Sequence, residues 1–299
     1  MLNVILETCA GTLTQGLIYA ILSYGIFITY KILDFPDLTV DGSFPLGAAV
    51  TAVLLTRGVN AWLTLPVAML IGAAAGLCTG LIHVRAKVRD LLAGIITMTA
   101  LYSVNLQIAG SNLAVERAID TIFTSGPIMA VMGNASLMMR KFVMSLAVAL
   151  IFKFILDWYL STKSGMLLRA VGDNDRIITS LSVDKGLVKI VGLAIANGLV
   201  TLSGCIFAQQ QRYFDISMGT GTVVIGLASV IIGTSLFKKV TVLRVTSSVV
   251  IGSVLYKGCV ALAISLGFES TDLKMITAVL FLVILVLGME RKRKVKVDA

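Results

Sequence analysis

The sequence predicts an all-α integral membrane protein. It reads as one permeation-sized domain over residues 1–299, a bundle of about 8–10 transmembrane helices with short broken helices and a candidate inverted repeat. Three observations carry that reading. Only 14% of residues are charged and 57% are hydrophobic, with a mean hydropathy of +0.96. A water-soluble chain carries about 25% charged residues, so this one lacks the polar surface to face water. Apolar runs recur along the whole length, and basic residues alternate in density between the segments that join them.

Apolar runs fall at residues 11–31, 44–57, 62–84, 91–109, 142–160, 188–208, 222–237, 241–260 and 273–289. Crossing hydrocarbon takes about 20 apolar residues in a helix. The second and seventh runs are short, which suits a tilted or broken helix whose backbone its neighbours protect. With Arg85, Lys87 and Arg89 placed on the cytoplasmic side, alternation puts the N-terminus outside and the C-terminus inside. Inside then fall 18 of the 25 basic residues, including Lys31, Lys163, Lys238, Arg244 and those of the tail 290–299. Arg57, Arg117, Arg140, Lys141, Arg212, Lys257 and Lys274 fall outside. Short-loop Lys and Arg stay preferentially on the cytoplasmic side. The net charge of +9 is therefore read as a topology signal; the expected partner is the lipid bilayer and not nucleic acid. No basic residue precedes the first apolar run, which argues against a cleavable signal.

Within the first run lie the polar residues Gln15, Tyr19, Ser23 and Tyr24. The second is preceded by Asp37-Leu38-Thr39-Val40-Asp41-Gly42-Ser43-Phe44-Pro45. Asp, Ser and Thr accept from free N–H groups at a helix start, and Pro fits the first turn. A helix start at membrane depth can also face an anionic substrate group. Both roles stay open for Asp37, Thr39, Asp41 and Ser43. The third run carries Gly72, Gly76 and Gly80 at four-residue spacing, a pattern for close helix packing. The fourth carries Thr97, Thr99, Tyr102, Ser103, Asn105 and Gln107; the sixth, Asn197, Thr201 and Ser203. Amides in hydrocarbon need partners, so Asn105 and Asn197 face the bundle interior, bonded between helices or lining a solute path.

Lys153 and Asp157, four apart in the fifth run, read as an ion pair. The stretch about 161–189 is the most polar internal segment. Gly172-Asp173-Asn174-Asp175 gives a helix start, and Ile177, Ile178, Leu181 and Val183 give one apolar face. Its mixed charges suit a protein partner better than a lipid surface. Residues 37–50 (DLTVDGSFPLGAAV) and 215–228 (DISMGTGTVVIGLA) look alike and are an odd number of crossings apart, so they would run in opposite senses. Sequence alone leaves repetition and chance likeness equally open.

Cys9, Cys78, Cys205 and Cys259 sit in apolar runs without CxxC spacing and read as small buried hydrophobes. His83, the one histidine, reads as a surface or packing residue. The chain contains no GxxxxGK[ST] phosphate loop, no HExxH and no GxSxG. Nor do its runs carry the chains of acidic and basic residues found in many proton-coupled pumps. No catalytic residue and no metal ligand set emerges; the protein is not read as an enzyme.

Thr162-Lys163-Ser164-Gly165, then Arg169-Ala170-Val171-Gly172-Asp173-Asn174 and Leu181 to Asp184, resemble the cytoplasmic loop of ABC-importer permeases of the branched-chain amino acid and ribose type. Asp37 to Ser43 resembles the DLSVGS signature of the sugar members, and Gly219 to Leu236 resembles a late segment ending in GGTSL. The likeness runs through almost the whole chain in order, without a counterpart of the ribose-type first span. FPDLTVDGSFPLGAAV and Leu91 to Met98 look most like a tryptophan/tyrosine permease subgroup.

The resemblance implies a multi-pass permease of the bacterial plasma membrane that imports a small solute. Amino acids are favoured, aromatic ones first; a sugar or nucleoside, or a stand-alone transporter or channel, stays open, since fold does not fix substrate. It implies a second permease copy forming a homodimer, an extracytoplasmic substrate-binding protein, and ABC ATPase subunits that carry the ATP and Mg. On this likeness Asp37, Thr39, Asp41, Ser43, Asn105 and Asn197 belong to the substrate path. Arg169, Gly172, Asp173, Asn174, Asp175, Arg176 and Asp184 belong to the ATPase-coupling loop. Asp173-Asn174-Asp175 and Ser182 depart from the pattern of relatives.

Overall fold

A computed structural model describes residues 2–133, 135–173, 184–237 and 244–266, with helical positions 275, 278, 279, 282, 283 and 286. Helix α1 (Leu2–Ile26) runs directly into a π-helical turn, Phe27–Ile32. A non-helical link leads to α2 (Val40–Thr56), followed by α3 (Ala61–Val84) and α4 (Asp90–Ala109). Strand β1 (Asn112–Ala114), the short α5 (Gly126–Met132), α6 (Leu137–Ser161) and α7 (Lys163–Asp173) come next. Helix α8 (Lys185–Gln211) leads to β2 (Tyr213–Asp215), a 3-10 turn (Ile216–Gly219), α9 (Thr222–Leu236) and α10 (Val245–Ser265).

Among the described residues, seven helical segments are long and apolar enough to cross a membrane, while α2, at 17 residues, is shorter. The run expected at 273–289 falls largely outside the described residues. Side-chain caps set three of the helix starts. Asn60 accepts from the Trp62 N–H at the start of α3, Ser136 from Met139 at α6, and Asp184 from Gly186 at α8. Each satisfies one of the amides a helix start leaves free. Arg212 takes a left-handed conformation (φ 61°) that stops α8 and turns the chain into β2.

Contacts define two ends of the bundle. At the first, Val84 of α3 lies against Gly186 of α8, Gly172 of α7 lies against Ile32 and Leu33, and Arg244 reaches Asp157 of α6 at 3.2 Å. At the second, β1 pairs antiparallel with β2, Asn112 opposite Asp215. There too the Lys141 ammonium donates to the Gln210 carbonyl at 2.9 Å. The Gln209 amide donates to Thr64 (2.9 Å) and accepts from the Ile122 N–H (2.9 Å).

Helices α1 and α8 form the buried centre, with Ile18, Ile21, Leu22, Leu193, Val200 and Ile206 fully enclosed. By contrast α3, α4 and α6 turn Leu70, Leu92, Ile96, Phe154 and Trp158 outward. Such apolar outer faces are what lipid requires. Three cysteines, Cys9, Cys78 and Cys259, lie on exposed surface and only Cys205 is buried. The expectation of four buried cysteines is corrected accordingly: in a membrane an apolar run has an outward face as well as an inward one.

The first part of segment 161–189 is helix and not loop. Lys163–Asp173 is helical, with Leu168 and Val171 buried three residues apart against the bundle. The helix expected around Ile177 to Val183 lies outside the described residues.

The stripe Gly72, Gly76 and Gly80 packs α3 onto α8. A side chain there would fall on Thr201, on the Leu193 carbonyl and on Ile190, respectively. Close backbone approach through small residues is the main source of helix association in lipid. Replacing Gly76 with Val should force the two backbones apart and lower stability by about 1–3 kcal/mol. Thermal unfolding in detergent checks this. An unchanged melting temperature contradicts the packing assignment.

Candidate functional site

Two broken helices meet inside the bundle, and the sequence explains how each is made. The chain reaches the first end at Ile32, turns, and re-enters through residues 33–39 to start α2. It reaches the second end at β2 and re-enters through Ile216–Gly219 to start α9. Both links use one local device. An Asp37 carboxylate oxygen accepts from the N–H two residues on, Thr39, at 2.9 Å, and an Asp215 carboxylate oxygen accepts from the Ser217 N–H at 2.7 Å. Asp followed by a small hydroxyl residue makes such turns readily. The two look-alike segments therefore enter from opposite ends, as an inverted repeat does.

They are joined through Asp41, in the first turn of α2. One of its carboxylate oxygens accepts from the Thr222 hydroxyl and from the Val223 N–H, both at 2.9 Å. Its other oxygen accepts from the Gly221 N–H at 3.1 Å. One carboxylate thus sits at two helix N-termini, its own and that of α9. A helix start presents free N–H groups and the positive end of its dipole, so it favours an anion. Gly221 adopts φ +85°, a conformation natural to glycine, which aims its N–H at Asp41. Gly219 lies tight against the Asp41 carbonyl and the Pro45 ring, where any side chain would collide.

A second cluster fixes the link before α2. Asn197, the thirteenth residue of the 27-residue α8 and so near its midpoint, donates from Nδ2 to the other Asp37 carboxylate oxygen at 2.8 Å. Its Oδ1 accepts from the Ser43 hydroxyl at 2.7 Å. The hydroxyls of Thr39 and Thr79 lie 2.9 Å apart, and Asn105 donates from Nδ2 to the Gly42 carbonyl at 3.1 Å. The structure therefore gathers all six expected path residues around the first turn of α2. Asp37, Thr39, Ser43, Asn105 and Asn197 are buried and Asp41 is half-buried. Asn105 Oδ1 is enclosed with no hydrogen-bond partner among the described residues.

Of the expected coupling residues, Arg169 is exposed on α7. Gly172 packs against Ile32 and Leu33, and Asp173 ends α7. Asp184 caps α8. Asn174, Asp175 and Arg176 lie outside the described residues.

The expected ion pair forms, Lys153 to Asp157 at 3.1 Å, and Thr246 adds a hydroxyl donor to that carboxylate at 2.6 Å. His83 packs edge-on against Phe35 and bonds the Val88 carbonyl at 2.9 Å. Lys257, counted above with the outer segments, is not in a connecting segment at all. It lies inside α10, with its ammonium over the Tyr19 ring at 3.9 Å from the centroid. Gln209 is a buried polar residue not singled out from the sequence, and Lys257 is a basic residue assigned there by segment alone. The run Gln209-Gln210-Gln211 at a helix end was a signal for the first, and a lone lysine within an apolar run for the second.

Against known proteins, a family model described as branched-chain amino acid transport system / permease component matches residues 8–287. The tyrosine transport system permease protein of Clostridioides difficile is 42% identical, over 93% of this chain and 90% of that protein. The ribose import permease protein RbsC of Haemophilus influenzae is 24% identical, over 78% of this chain and 68% of that protein. No solved structure matches the chain.

Replacing Asn197 with Ala removes the donor to Asp37 and the acceptor of Ser43 at one stroke. Leaving a buried acceptor unsatisfied costs about 1–3 kcal/mol, and thermal unfolding of the purified protein should show a loss of that order. Asn197→Ala unfolding at the wild-type temperature contradicts the cluster.

Proposed function

The chain belongs to the branched-chain amino acid transport system permease family, and on that premise we propose that it is the membrane-spanning permease of an ATP-driven importer whose cargo is an amino acid, aromatic ones first. The observation that carries this reading is the pair of broken helices, entering from opposite ends and joined by Asp41. Inverted halves around a central joint are the architecture of alternating access, in which one half rocks against the other. The cargo reading leans on the relative named for tyrosine transport, which is far nearer than the one named for ribose import.

In this account the first end of the bundle, which carries Arg85, Lys87, Arg169 and Arg244, faces the cytoplasm, and the second end faces outward. The N-terminus is then outside and the C-terminus inside. ABC ATPase subunits supply ATP and Mg and dock on the segment around Arg169 to Asp184. An extracytoplasmic binding protein presents solute at the β1–β2 end, and a second copy completes the pore. Asp37, Thr39, Asp41, Ser43, Asn105 and Asn197 form the joint beside the path.

Proteoliposomes test the reading. With the partner ATPase, binding protein and ATP, the permease should accumulate labelled tyrosine, and not ribose; without the ATPase it should pass neither. Tyrosine flux through this chain alone would make it a stand-alone transporter, and ribose accumulation would reassign the cargo. In the same system Asp175→Lys should reduce ATPase co-purification and stimulated hydrolysis at least several-fold. Unchanged values would remove Asp175 from the coupling set.

A further inference from the structure

Four helices bring one lysine and three aromatic rings to a single point. Tyr19 of α1 stacks on Phe44 of α2, centroids 5.7 Å apart and planes 21° apart. Phe207 of α8 meets Tyr19 edge-on at 5.7 Å and Phe44 at 5.6 Å. Over the open face of Tyr19 stands the Lys257 ammonium, 3.9 Å from the centroid. Three mutually packed rings are ordinary core. The lysine is not.

Lys257 is twelve residues into α10, roughly 18 Å along its axis at 1.5 Å per residue. A charge at that depth is expensive and marks function unless it is paired or reaches the interface. Its side chain does not run to the nearer helix end, as a snorkelling lysine would; it turns onto the Tyr19 ring. Among the described residues no carboxylate lies within ion-pair distance, in contrast to Lys153, which has Asp157 at 3.1 Å. The cation–π contact compensates part of the cost. Among the described residues the ammonium has no oxygen acceptor, so N–H donors that do not face the ring stay available.

Neighbouring contacts hold this arrangement still. Ser253, one turn before Lys257, donates to the Gly16 carbonyl at 2.8 Å, and Gly16 lies against Val254. The backbones of α1 and α10 are thereby clamped a few residues from Tyr19 and Lys257. Phe44 follows Ser43 just past the first turn of α2 and so sits next to the joint, while Lys257 as a whole residue is half-buried.

We propose that Lys257 is a specificity-determining residue: its ammonium binds the carboxylate of the transported amino acid and is held in place over the Tyr19 ring, which Phe44 and Phe207 back from the core. The inference rests on the amino acid reading above. A fixed cation with free donors on an aromatic floor fits an α-carboxylate joined to an apolar or aromatic side chain. It gives a neutral sugar no charge to meet. Desolvating the ammonium raises the energetic worth of that pairing and penalises cargo that lacks the anion.

Tyrosine uptake by the complete system separates this inference from the reading it rests on. Lys257→Gln should cut uptake at least tenfold while basal ATP hydrolysis and the amount of assembled complex stay at wild-type levels. Lys257→Arg should restore most of the loss. Lys257→Gln transporting like wild type would overturn the inference and leave the importer reading intact. Uptake that falls only in step with assembled complex, or that Lys257→Arg fails to restore, would assign Lys257 a structural role and also overturn it. A wild-type system that takes up no amino acid would overturn both.

Discussion

A carboxylate held between two helix N-termini is the constraint on which the rest of this bundle depends. Asp41 accepts three hydrogen bonds from the start of α9 while sitting in the first turn of α2. Both helices begin inside the bundle, where free N–H groups are shielded from water and each unmet one is costly. An uncompensated carboxylate there would be equally costly. Each problem is the other's solution, because a helix start supplies the partial positive charge and the donors that an anion needs. The joint therefore holds together two helices that approach from opposite ends and share no other covalent or sequence neighbourhood.

Everything around the joint serves to bring it to the same place each time. Asp37 and Asn197 fix the link ahead of α2 to the midpoint of α8, and Ser43 ties the first turn of α2 to the same amide. The glycines of α3 let it lie directly on α8, so the central helix is gripped from one side by α3 and from the other by α1 and α2. Lipid offers no hydrophobic force between helices, so close packing and these buried hydrogen bonds do the holding. The apolar faces of α3, α4 and α6 point outward, away from this packing.

The sequence made the spans legible because hydropathy is a property of single segments. The boundaries were less so. Helix α6 starts at Leu137 and not near 142, since Arg140 and Lys141 interrupt the apolar run yet find carbonyl partners at Ala135, Gly133 and Gln210. The π turn at Phe27–Ile32 left no compositional mark, and α7 was hidden by its surface charges. The six residues around α2 could be picked from their types and positions. Their partners could not. Asp41 reads from sequence as a cap for its own helix, but the helix start its carboxylate caps lies 181 residues later. Lys257 was misplaced for a related reason: counting charges by segment cannot tell a loop lysine from one that turns back onto a ring inside the bundle.

Amide hydrogen exchange at Gly221 and Val223 tests the joint most directly, since those two N–H groups donate to Asp41 and to nothing else in their helix. In the wild-type protein both should exchange slowly, and Asp41→Ala should speed them at least tenfold while amides at the centre of α8 keep their protection. Equal exchange at these two amides in wild type and Asp41→Ala would contradict the account.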